Sequence, residues 1–275
     1  MKKITLFIVL LSITTISFAQ KKPKIKGNKV VTELSKEIFE NFNAIEIDDA
    51  LEVNLTQTGE NSYFIKTDEN LLDIVQFSVR DSILKIYTTN RIVSSKKLEI
   101  SLNVKEIKHL ILKNDAKVEG TGRFNSDKLY LSGYNSSRFD LDVKADDVII
   151  TLQRDAGGKI KVKSKNTTII MNDRTDLKAY VIADKTRVTQ TKSSELSLDG
   201  DSDYAAFNLK DSAKLEAKKM KVSSVDLYTS NSSDLYVHAS KNLEIYAQGK
   251  SNVYVYGNPK IDVKGLTDKS KIIKK

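Results

Sequence analysis

The sequence predicts an all-β protein whose C-terminal two-thirds is a parallel β-helix, a β-solenoid of about nine coils preceded by a β-rich N-terminal section. Three observations lead there. A degenerate repeat of about nineteen residues runs from Leu110 to Ile272, each repeat holds two segments of apolar and polar alternation, and a polar turn with a small residue leads into the second segment.

Setting the first apolar residue after each turn at position zero gives Val118, Phe139, Ile160, Leu177, Leu196, Leu215, Leu235, Val253 and Ile272. The intervals between them are 21, 21, 17, 19, 19, 20, 18 and 19 residues. Two residues earlier stand Ala116, Ser137, Gly158, Thr175, Ser194, Ala213, Ser233, Ser251 and Ser270, all small. Position plus two is mostly apolar and plus one mostly polar, the period-two pattern of a strand with one buried face. A second strand is marked at position minus eight by Leu110, Leu131, Leu152, Ile169, Val188, Phe207, Leu227 and Ile245, and breaks at Lys264. A two-stranded unit of this size cannot fold alone, so the units must stack. Equivalent strands then run parallel, and the general crossover preference gives right-handed winding.

At the N-terminus, Lys2 and Lys3 precede an apolar run from Ile4 to Phe18, with Ser17 and Ala19 before a cut at Gln20. Residues 1–19 read as a secretory signal peptide. The run is shorter than the roughly twenty residues a membrane span needs, so no transmembrane segment is expected in the mature chain. The sequence has no cysteine, which excludes disulfides, cysteine-metal sites and a lipidated cysteine anchor. The protein is expected to be exported, whether secreted, periplasmic or cell-surface associated. Residues 20–37 read as a basic arm with Lys21, Lys22, Lys24, Lys26 and Lys29, and Lys269, Lys271, Lys274 and Lys275 close the chain. The net charge of +9 falls to +7 without Lys2 and Lys3. These clusters read as solvated tails or as contacts for an anionic partner. No nucleic-acid motif accompanies them, and nucleic acid is not an expected partner.

Residues 38–104 are strand-like but off the nineteen-residue register, with clear alternation from Ala44 to Leu55. They are expected to cover the open end of the stack, since an uncovered strand edge invites aggregation. The solenoid itself occupies 105–275. In its last coil, Lys264 and Lys274 stand at positions that are apolar elsewhere, as a polar terminal cap requires.

Three further runs carry a family likeness: Phe39-Glu40-Asn41-Phe42-Asn43-Ala44-Ile45, Leu51-Glu52-Val53-Asn54-Leu55-Thr56-Gln57 and Thr67-Asp68-Glu69-Asn70-Leu71-Leu72. With Leu84-Lys85-Ile86 and the closing Tyr256-Gly257-Asn258-Pro259, the chain resembles the head GIN domain of putative auto-transporter adhesins, exported proteins common in Bacteroidetes. The resemblance covers nearly the whole mature chain. It implies a β-helical exported module of adhesion-like or structural role, with no established catalysis, and no auto-transporter barrel is expected after the last coil. The turns depart from the family's Ser-Gly-Ser-Gly type, reading Asn114-Asp115-Ala116, Asn135-Ser136-Ser137, Asn172-Asp173-Arg174 or Ser230-Asn231-Ser232-Ser233. Asn, Asp and Ser are also good turn formers, so the fold is kept while the presented surface changes.

The alternative is a polysaccharide-acting β-helix enzyme, a lyase or hydrolase, which needs clustered carboxylates in a cleft. The pairs Asp48 and Asp49, Asp146 and Asp147, and Asp201 and Asp203 are the candidates, but they read as turn residues, and the regular intervals leave no room for a cleft. Calcium at Asp115, Asp155, Asp173, Asp211 and Asp268 would call for glycine-rich nine-residue repeats, which are absent. His109 and His238 belong to different coils, which argues against a triad or zinc site. No catalytic residue, cofactor or metal is therefore assigned.

One surface feature remains. Tyr236 and Tyr254 share position plus one in adjacent coils, and Tyr228 and Tyr246 share position minus seven. Both positions should face outward and form two short tyrosine ladders. Such ladders suit a sugar ring or a protein partner, as in a glycan-binding module, though tyrosine is also simply a favourable strand residue. The partner expected on this reading is a cell-envelope glycan or protein.

Overall fold

The computed structural model describes residues 22–275; the signal peptide read at 1–19 lies outside the described residues. The first strands are β1 (Lys24–Lys26), β2 (Val31–Glu37), β3 (Ala44–Ile47), β4 (Glu52–Gln57) and β5 (Ser62–Asp68). After a 3₁₀ turn at Glu69–Leu71 come β6 (Val75–Arg80), β7 (Ile83–Thr88), β8 (Arg91–Ser94) and β9 (Leu98–Val104). The repeat region opens with short strands, β10 (His109–Leu112), β11 (Lys117–Asn125), β12 (Lys128–Tyr134), β13 (Arg138–Lys144) and β14 (Asp147–Gln153). It continues as long strands that belong to both sheets, β15 (Gly157–Met171), β16 (Asp176–Gln190), β17 (Glu195–Leu209), β18 (Lys214–Thr229) and β19 (Asp234–Ala247). It closes with β20 (Asn252–Tyr256), β21 (Lys260–Leu266) and β22 (Lys271–Lys274).

Each coil contributes one strand to each of two parallel sheets, as the repeat predicts. The first sheet runs β7, β3, β10, β12 and β14, then the second halves of β15 to β19, then β21. The second runs β9, β4, β11 and β13, then the first halves of β15 to β19, then β20 and β22. Alternation places one side of the stacked strands in a continuous core, from Ile45 and Val53 through Phe207 and Leu215 to Val253. The turns reverse the chain through left-handed residues, including Asn114, Asp115, Asn135, Ser136, Asp173 and Asn231. Short polar side chains tolerate that conformation, so these turns need no glycine.

Spatial order departs from chain order at the N-terminal end. The coil formed by β7 and β9 stacks outside the one formed by β3 and β4, and the chain then returns to lay β10 and β11 on the opposite side. Antiparallel strands finish both sheets there, β6 on β7, and β5 on β9 with β2 beyond it. The segment read as a basic arm is not a free tail. It holds β1, paired with β8, and β2, and Lys22 donates to the Thr88 carbonyl at 2.7 Å and pairs with Asp49.

Two positions of the repeat need correction. Phe139 faces Gly158, not Ile160, and Gly158 faces Leu177, so position zero of that coil is glycine. The reason is size: a Cβ on Gly158 would lie 2.3 Å from the Phe139 carbonyl and 2.9 Å from its ring. The small residue two places earlier is then Ala156, and the corner column Ala116, Ser137, Ala156, Thr175, Ser194, Ala213, Ser233 and Ser251 is buried throughout. In the last coil Val263, not Lys264, continues the column from Ile245, because a bulge follows. The end is consequently less polar than expected. Ile261, Val263 and Leu266 are 36%, 46% and 48% exposed, with no further strand stacked on them among the described residues.

At the N-terminal end the fully buried Asp68 carboxylate ties three segments together. It accepts the backbone N–H groups of Lys29 at 2.9 Å, Lys96 at 3.0 Å and Lys97 at 3.2 Å. Burial alone would raise its pKa, but these amides outweigh it and hold the carboxyl below its ordinary value.

Two outcomes follow. Gly158→Ala should destabilise the chain by about 1–3 kcal/mol in urea unfolding. Gly59→Ala, where a new Cβ meets nothing within 4 Å, should be near neutral. The depressed Asp68 pKa adds stability that is present above the unfolded value of about 3.9 and is lost as pH falls through the lower folded value. Asp68→Asn should therefore lower Tm at neutral pH and shrink the acid-dependent loss, whereas superimposable acid limbs in thermal melts would contradict the assignment.

Candidate functional site

Parallel stacking sets equivalent residues about 4.8 Å apart, so any outward residue type that recurs in adjacent coils becomes a ladder. Tyr236 on β19 and Tyr254 on β20 stack with centroids 4.4 Å apart and planes within 8°. Tyr228 on β18 and Tyr246 on β19 stack at 5.3 Å and 6°. The pairs lie on different sheets and do not make one four-tyrosine surface. A third stack, His109 on Tyr130 at 4.7 Å, was missed in sequence. Its signal is there, since the two are 21 residues apart, the same interval as between Val118 and Phe139.

The surroundings of the two tyrosine pairs differ. The Lys275 ammonium lies 5.5 Å from the Tyr254 centroid, and register places Glu216, ion-paired to Lys214 at 2.7 Å, beside Tyr236. On the first sheet, Tyr246 rests against Gly265, where a Cβ would lie 2.6 Å from the ring. Gln248 Nε2 donates to the Tyr228 hydroxyl at 2.9 Å. Beyond Tyr228 the ladder stops at the shorter Asn208, and an open pocket of about 480 Å³ lies there. A larger trough of about 780 Å³ follows the turns at Lys105, Asp127, Lys144, Asp146 and Lys163.

The carboxylates raised as catalytic or calcium candidates are mostly engaged in the turns. Asp48 accepts from the Asp49 N–H at 2.8 Å and from Asn114 at 2.7 Å, and Asp49 accepts the Thr88 N–H at 2.9 Å. Asp146 pairs with Lys165 at 2.9 Å, and Asp147 accepts from Asn166 at 2.9 Å. Asp201 and Asp203 are exposed on β17. Asp155 pairs with Arg174 at 2.9 Å and Asp173 with Lys192, and each cation holds its carboxyl below the usual range. Asp211 accepts from Asn231 at 2.8 Å and Asp268 from the Gly249 N–H at 3.1 Å. Among the described residues no three His, Asp or Glu side chains gather as a metal site. His109 and His238 lie on opposite sheets, at the two ends of the repeat region.

Comparison with known proteins bears on what such a surface serves. The family model described as "Putative auto-transporter adhesin, head GIN domain" matches residues 41–162 and again 152–259. Curated proteins give no match. Solved structures of similar fold include two described as putative adhesins, from Parabacteroides merdae (19% identity, TM-score 0.62) and Parabacteroides distasonis (17%, 0.68). A third, described as a putative lipid binding protein, is also from Parabacteroides distasonis (18%, 0.65). The alignments cover 92%, 91% and 91% of this chain respectively, and 99% of each solved chain. At these identities the likeness speaks for the fold.

Proposed function

Because this chain belongs to the family of the putative auto-transporter adhesin head GIN domain, an adhesion-like β-solenoid module, we propose that it engages a cell-envelope glycan or protein through its outward tyrosine pairs. The observation that carries this reading is the regular stack itself: two rigid sheets that hold Tyr228 with Tyr246, and Tyr236 with Tyr254, at fixed outward positions. Ordered aromatics give contact area at low entropic cost, with a hydroxyl at the tip for specificity. We infer a non-catalytic role, supported by the engagement of most candidate carboxylates in turn hydrogen bonds and ion pairs. Export would run through residues 1–19, to a secreted, periplasmic or surface-held location. No helix among the described residues is long and apolar enough to cross a membrane.

Sedimentation of the tagged mature chain with envelope from its own cells tests the reading. The wild type should be retained, and at least one of two double variants, Tyr228→Ala with Tyr246→Ala or Tyr236→Ala with Tyr254→Ala, should be released. Retention of both variants at the wild-type level would overturn it.

A further inference from the structure

We propose that the pocket beside Tyr228, rather than the Tyr236 pair, is the seat of recognition, and that it takes a neutral pyranose ring of a glycan. The inference deepens the reading above and rests on it. Along the first sheet, register sets Arg187, Ala206 and Asp226 side by side in three successive coils. Alanine between two larger polar side chains leaves a gap whose flanking backbone positions, those of Arg187 and Asp226, lie roughly 9.5 Å apart at two strand spacings. In the neighbouring column Asn208 stands next to Tyr228, so the tyrosine stack ends where the gap begins.

Three features suit a sugar. The ring of Tyr228 has Tyr246 against one side and the shorter Asn208 next to the other, and both tyrosines line the open pocket. A ring bound there would meet Tyr228 where the column steps down to Asn208. Donor and acceptor groups surround that place: the Arg187 guanidinium, the Asp226 carboxylate, which already accepts the Tyr204 hydroxyl at 2.5 Å, and the amide of Asn208. The Asn208 Oδ1 is buried and accepts no hydrogen bond among the described residues. Charge then selects within the class. Among the lining residues Arg187 and Lys264 balance Asp226 and Glu244, and Lys264, 3.6 Å from Glu244, also pairs with Asp262 at 2.8 Å, so the site gives an anionic ligand no advantage. The second pair lacks this arrangement, having Lys275 over Tyr254 and the Lys214–Glu216 ion pair beside Tyr236.

The test uses the full mature chain on two immobilised panels. One holds neutral oligosaccharides of hexose and N-acetylhexosamine, and the other holds their uronate-, sialate- and sulfate-bearing counterparts. Binding to the neutral panel is expected. Ala206→Phe, which fills the gap, and Arg187→Ala, which leaves the core untouched, should each weaken it about tenfold or more. Lys161→Ala, at an exposed position on the other sheet, should leave it unchanged, and melting curves would establish that each variant is folded. No binding to the neutral panel, a preference for the anionic panel, or wild-type binding by folded Ala206→Phe and Arg187→Ala would overturn the proposal. If envelope retention still depended on Tyr228 and Tyr246 in that event, the broader reading would stand and only the sugar pocket would fall. Retention independent of both pairs would remove the broader reading itself.

Discussion

The in-register parallel pairing of each strand with its equivalent one coil away is the constraint on which the rest of the molecule depends. It fixes which side chains lie above and below one another, so every inward column has to be filled with shapes that fit. Large Phe139 is followed by Gly158, and the corner beside each turn admits only Ala, Ser or Thr through eight buried positions, from Ala116 to Ser251. Outside, the same pairing turns a separation of 19 residues into contact. Arg123 meets Asp142, Asp146 meets Lys165, Asp147 meets Asn166 and Asp155 meets Arg174. Exposed pairs of this kind are screened by water and contribute too little to hold the fold. A slip of one residue would send each inward column to the surface, and it is the core that forbids it.

The surface chemistry is a by-product of that stacking. Where tyrosine recurs in adjacent coils the rings stack, and where it gives way to Asn208 beside Ala206 the aromatic wall borders an open pocket. No loop is needed to build it, which fits a module that presents groups on a rigid frame instead of closing around a substrate. The ends of the stack are built differently. The N-terminal end is finished by antiparallel strands and clamped by Asp68, whereas the last coil leaves Ile261, Val263 and Leu266 partly open.

Periodicity made the solenoid, its two strands per coil and both tyrosine pairs legible in the sequence, because each is a statement about residues one repeat apart. Four features were not legible, each for a physical reason. At Gly158 the apolar residues Ile160 and Val162 carry the same alternation one pleat later, so pattern alone points to a shift of two, whereas the close approach of the Phe139 backbone and ring makes glycine the residue at position zero. At Lys264 a bulge after Val263 moves the column by one. In the N-terminal section, β7 and β9 stack on the far side of β3 and β4, and sequence spacing carries no record of a coil inserted out of order. The pocket escaped for another reason: it is a gap between Arg187 and Asp226, and a reading that looks for conspicuous residues passes over an alanine.

The register is the central claim, and paired cysteines in a chain that has none test it directly. Lys159 lies opposite Lys178, whereas Lys161 lies opposite Tyr180. Paired parallel positions sit about 4.8 Å apart at the Cα atoms, within the 4.4–6.8 Å or so that a disulfide spans, and a diagonal two residues away lies beyond roughly 7 Å. Under mild oxidation of the folded mature chain, Lys159→Cys with Lys178→Cys should close to a disulfide, and Lys161→Cys with Lys178→Cys should stay reduced. The opposite outcome would restore Ile160 to position zero and contradict the register on which the columns and ladders rest.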